Sequence, residues 1–102
     1  MEREMKAKQI GVVVTTAHKG VFFGYVPATQ KMDARTVKLS SARMCIYWAA
    51  SVRGMPGLAS TGPDNQCKIS PKCPAMTAHD VTAIFECSPE AIDAWEKAPW
   101  QR

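Results

Sequence analysis

Histidine and aromatic side chains are scarce in this chain of 102 residues, which holds two His, three Phe, three Trp and two Tyr. With no recognisable signature around His18 or His79, little is left for Cys–His or Ser–His–Asp catalysis. No apolar run approaches the roughly 20 residues that span a bilayer. The first eight residues, Met-Glu-Arg-Glu-Met-Lys-Ala-Lys, lack the apolar stretch of a secretory signal and read as a mobile arm. A phosphate-cradling glycine loop is also missing, because Gly54-Met-Pro-Gly57 and Thr61-Gly-Pro63 contain prolines that remove backbone donors. Carboxylates do not pair: Asp64, Asp80 and Glu86 stand alone, and Glu90, Asp93 and Glu96 fall on one helical face. These absences predict a cytoplasmic, non-membrane protein that is not an enzyme and carries no cofactor.

Cysteine is present four times, as Cys45, Cys67, Cys73 and Cys87. Without a secretory signal the default state is the free thiol. Structural zinc prefers cysteines two to four residues apart, whereas five residues separate Cys67 from Cys73 and both histidines are distant, so no metal site is expected. Cys45 lies in an apolar run, where a thiol is a small hydrophobe with a raised pKa. Cys87 precedes a helix start whose dipole favours thiolate, which makes a Cys87–histidine pair the one enzymatic alternative.

Length and composition, 46% hydrophobic and 22% charged, fit one globular domain over residues 9–102, small enough that oligomerisation would help bury its core. Eleven of the thirteen Lys and Arg precede residue 73, and five of the nine acidic residues follow it. Besides an ordinary solvated surface, that asymmetry suits an anionic ligand or a head-to-tail subunit contact.

The run from Ile10 to Val26 consists of two β-branched and aromatic segments joined by a short turn, which reads as a β-hairpin with Gly20 at a positive φ. Gly24 inside the second segment marks a bulge or a close backbone approach. Two further runs follow, Thr36–Leu39 and Arg43–Trp48. The second is apolar on both faces apart from Arg43, as for a strand buried on both sides, so Met44, Ile46 and Trp48 are candidates for an oligomer interface. From Ser51 to Pro74 glycine and proline allow only short strands, at about 57–60 and 66–70, and these loops are the expected place for a partner. Asp80–Glu86 alternates as a last strand with Val81, Ala83 and Phe85 on one side. Residues 89–97 form the one good helix signal: Ser88 caps, Pro89 opens the first turn, and Ile92 and Trp95 make an apolar stripe. The predicted fold is mainly β, a small antiparallel curved sheet or barrel of five to six strands with one C-terminal helix.

Small barrels bind nucleic acid with aromatics and cations from one strand face. Lys19, Phe23, Tyr25, Lys38, Arg43, Tyr47, Arg53 and Lys68 have suitable types, and Lys19, Arg43, Arg53 and Lys68 are the candidate ligand-binding residues. Aromatics interleaved in strands are also ordinary core, and Trp95 with Trp100 suits a clasp over the barrel or a subunit contact rather than a ligand cage.

The segments 12–25, 42–48, 57–63 and 86–91 (VVVTTAHKGVFFGY, ARMCIYW, GLASTGP and ECSPEA) resemble a family of short uncharacterised proteins encoded by tailed phages, prophages and bacteria. The resemblance implies a phage or mobile-element origin and the cytoplasm of a bacterial host, with no activity to transfer. Its company favours a non-catalytic, self-associating protein acting on a host or phage protein. The alternative is a nucleic-acid or cyclic-nucleotide binder, for example a counter-defence protein.

Overall fold

The computed structural model describes residues 8–17, 20–48, 54–64 and 66–98. Strands β1 (Gln9–Thr16), β2 (Val21–Pro27) and β3 (Val37–Tyr47) are followed by helix α1 (Gly54–Ser60). Strands β4 (Lys68–Ile69), β5 (Cys73–Ala78) and β6 (Val81–Glu86) then lead to helix α2 (Pro89–Lys97). The strands form one antiparallel sheet in the order β4-β3-β2-β1-β6, with β5 also on β3, and the sheet does not close into a barrel. The mainly β class, the 10–26 hairpin and the helix over 89–97 are as the sequence predicts.

The eleven-residue β3 organises this topology because its outer edge is long enough for two partners end to end. Its first half, from Val37 to Ala42, pairs with β5, and Cys45 and Tyr47 pair with β4. The sequence reading of two separate runs is corrected: Thr36–Leu39 and Arg43–Trp48 join through Ser41, held at φ 49, and the register against β2 shifts between Phe23 and Tyr25. Gly24 sits at that shift, and a Cβ there would lie 2.8 Å from the Leu39 Cβ, so the close approach of backbones requires glycine.

Both faces of the central strands are buried, which explains the unbroken Val12-Val13-Val14 run. One face carries Val12, Val14, Val26, Val37, Leu39, Ala42, Ala78 and Val81, contributed by strands alone. The edge strands β5 and β6 are joined through His79 and Asp80, and Asp80 takes φ 57. This turn is tied down where Ala17 N donates to Asp80 O and Val81 N to Arg35 O. The other face is roofed by the helices: Val13, Phe23, Cys45 and Ile69 meet Leu58, Ala91 and Trp95. Trp95, fully buried, stacks on Phe23 at 5.0 Å and 7°, and its Nε1–H donates to Leu58 O at 3.0 Å. Ser88 caps α2 by accepting from Ala91 N and itself donates to Ser60 O, so one side chain joins the two helix ends.

Further expectations need correction. Residues 57–60 are helical rather than a strand: burial of Leu58 and Ala59 under α2 outweighs the weak helix propensity of Gly-Met-Pro-Gly, and Pro56 falls in the first turn, where its missing N–H costs nothing. Of 66–70 only Lys68 and Ile69 pair, and β5 lies where no strand was expected. Gly20 does not take a positive φ. A Cβ there would lie 2.5 Å from Thr16 Oγ1, so crowding rather than conformation requires glycine. Val81 does not share a side with Phe85: the register of β6 against β1 slips at Thr82, turning Val81 onto the strand-only face. The run from Arg43 is not buried on both sides, since Met44, Ile46 and Tyr47 are exposed.

Candidate binding surface

The C-terminal half of β3 runs beside the β1–β2 hairpin, with Met44 opposite Phe22. Arg43 and Cys45 turn inward, and Met44 and Ile46 outward. Between Cys45 and Tyr47 the register against β4 slips by one residue, so Ile46 bulges and Tyr47 also reaches solvent. Met44 is 39% exposed, Ile46 56% and Tyr47 54%, an apolar strip along the end of β3, which is paired with β2 and β4. Trp48, next in the chain, is half-buried and packs against the helix-side core.

The four basic candidates do not form one patch among the described residues. Arg43 is buried, with Nε donating to Ser70 O at 2.9 Å and Nη1 to Trp95 O at 2.7 Å. Burial lowers its pKa, and the nearby Glu96 charge offsets part of that. Lys68 is exposed directly across from Tyr47. Lys19 and Arg53 lie outside the described residues, as do most of the 1–8 arm and Trp100. Lys38 is exposed on β3, while Phe23 and Tyr25 belong to the helix-side core.

A small, partly exposed polar network centres on Glu96 of α2, which accepts from Tyr25 Oη and pairs with Lys72. Burial pushes the Glu96 carboxyl up, but the bonds from Lys72 and Tyr25 and the charges of Lys72 and Arg43 win, so its pKa is lowered. Burial and the Glu96 bond hold the Tyr25 phenol well above its ordinary range.

Two of the thiols are held in their neutral form by burial. Burial pushes Cys87 up to about 12, outweighing any gain from the helix start beside it, and Cys45 is likewise pushed up to about 12 by burial, with Cys67 adding to the rise. Among the described residues no group of three or more His, Cys, Asp or Glu side chains is placed to hold a metal ion. No described helix is long and apolar enough to cross a membrane.

At the hairpin end of the sheet lies a cleft of about 490 Å³, with Thr15, Thr16, Val21, Trp48 and Thr82 among its walls. Thr15 and Thr82 hydroxyls meet there at 2.7 Å. The sequence carried one sign of this feature, the Thr15-Thr16 pair that ends an all-valine run. Nothing local brings Thr82 and Trp48 to it, because β1 pairs with β6 only in the folded sheet.

No curated protein and no solved structure matches the chain. A family model does match, over residues 9–95, which covers every described strand and most of α2. The chain therefore belongs to the family described as a domain of unknown function, DUF6948.

Proposed function

We propose that the protein is a non-catalytic β-domain that self-associates and binds a host or phage protein, and that it is encoded by a phage or mobile element. The observation that carries this reading is the exposed strip of Met44, Ile46 and Tyr47. Large apolar side chains gathered on one exposed strip are costly to leave in water, and such patches mark contacts with another chain. The expected 51–74 partner loops adjoin the strip through β4, whose Lys68 faces Tyr47.

Native mass spectrometry of the full chain at micromolar concentration tests this. A defined oligomer that Ile46→Asp returns to monomer is the expected result. A monomeric wild-type mass overturns self-association.

One observation favours the second reading, a nucleic-acid or cyclic-nucleotide binder: Tyr47 and Lys68 form an exposed cross-strand pair of aromatic ring and cation. Such a pair suits a stacked base with its phosphate. It predicts affinity for short oligonucleotides that falls steeply with salt and is lost in Lys68→Glu. Binding that ignores salt removes this reading.

A further inference from the structure

We infer that the cleft beside Trp48 binds a small, uncharged, planar ligand bearing hydrogen-bond acceptors, of the carbonyl-substituted heteroaromatic class. The inference rests on the donors left over at this site, and it is independent of self-association through β3.

Thr15 and Thr82 hydroxyls are 2.7 Å apart, and two hydroxyls hold two protons of which their mutual bond uses one. Thr15 is 7% exposed and Thr82 is at the surface. Leaving a buried donor unsatisfied costs more than leaving an exposed one, so Thr15 donates and the Thr82 proton faces outward. Thr16 Oγ1 accepts from Gly20 N at 3.2 Å, and its own proton has no acceptor among the described residues. The Trp48 indole N–H likewise has no acceptor among the described residues. Thr16, Thr82 and Trp48, each carrying a donor with no acceptor among the described residues, therefore line one cleft.

The remaining walls are apolar, from Ala17 and Val21, and no charged side chain is among the described lining residues. An anion would meet no counter-charge among the described residues, whereas a neutral ring gains area against the indole and uses the spare protons. A volume of about 490 Å³ lies within the range of small-molecule sites.

Caffeine is a suitable probe, being flat, uncharged, rich in acceptors and free of donors. Titrated into the full chain labelled at threonine and valine methyls and tryptophan indoles, it should give saturable NMR shifts at Thr15, Thr16, Thr82, Val21 and the Trp48 N–H. Thr82→Val, which keeps the side-chain shape, should weaken binding about ten-fold, and Thr82→Ser should restore it. The spectrum of each unliganded variant shows that it is folded. Absence of saturation into the millimolar range, unchanged affinity in Thr82→Val, or equal affinity for the hydrocarbon indane would each overturn the proposal. Loss of the oligomer in Ile46→Asp with these shifts retained separates this site from the β3 strip.

Discussion

Arg43 Nη1 donates to the backbone carbonyl of Trp95 at 2.7 Å, so a strand residue satisfies a carbonyl in the last turn of the helix that roofs it. The same guanidinium reaches Ser70 O, and Ser70 in turn bonds Met44 through both backbone and side chain. One buried cation thus fastens β3, the segment linking β4 to β5, and α2. Its position at a helix C-terminus adds a favourable interaction with the helix dipole.

Replacing Arg43 with Ala removes the donor to Ser70 O and leaves Trp95 O with only the Ala98 N–H, at 3.3 Å. The expected loss is about 2 kcal/mol, the ordinary penalty for an unsatisfied buried group, measured by urea unfolding. Arg43→Lys should recover part of it, because a single ammonium cannot match the fork that spans Ser70 and Trp95. A loss no larger than that of a surface substitution would show that the bonds are dispensable.

Gly62 and Gly54 both adopt positive φ, at 84 and 77, yet they should respond differently to alanine. At Gly54 the added Cβ meets nothing nearer than Pro56 Cδ at 3.8 Å, so the cost is the left-handed backbone alone, about 1 kcal/mol. At Gly62 the Cβ would lie 2.6 Å from the Ala94 Cβ and 3.0 Å from Ala91 O, both on α2. Gly62→Ala should therefore cost about 2 kcal/mol more, through overpacking. Thermal unfolding of the two variants side by side reads the difference.

Thiol chemistry gives a third test. Cys73 is exposed and should be labelled by a thiol reagent in the folded protein. Cys45 and Cys87, pushed up to about 12 by burial, should react only when the protein opens. The native fold holds their protons more tightly than the unfolded chain does. That contribution to stability is complete below pH 9 and disappears as pH rises from about 9 to about 12. Urea midpoints measured across that window should fall, and Cys87→Ala should flatten the slope.

Acid acts in the opposite sense through Glu96. Its carboxyl lies below the ordinary 4.5, so the folded state binds its proton less readily than the unfolded chain. The stabilisation is present above that value and lost as pH falls through the lower folded one. Glu96→Gln should reduce the steepness of acid unfolding followed by circular dichroism, and an unchanged acid limb would remove Glu96 from the network.

The hairpin, the capped helix and the mainly β class were legible in the sequence because each rests on local signals. Alternating β-branched residues, Ser88 before Pro89, and Ile92 three residues from Trp95 act within one or two turns of chain. The helix at 54–60 was not legible, since Leu58 and Ala59 become helical for the sake of burial under α2, a contact made across more than thirty residues. The inward role of Arg43 was equally hidden: among apolar neighbours it read as a surface cation, and its acceptors, Ser70 O and Trp95 O, lie 27 and 52 residues away.

By itself the sequence determined the first hairpin, the last strand, where the last helix starts, and that its chemistry is sparse. Tertiary structure alone decided which side of each strand meets solvent, because the slips at Ser41, Ile46 and Thr82 reverse the alternation that parity would impose. Those slips expose Ile46 and Tyr47 together and bring Thr82 to Thr15. A bulge depends on how two distant strands fit, and neither strand encodes it alone.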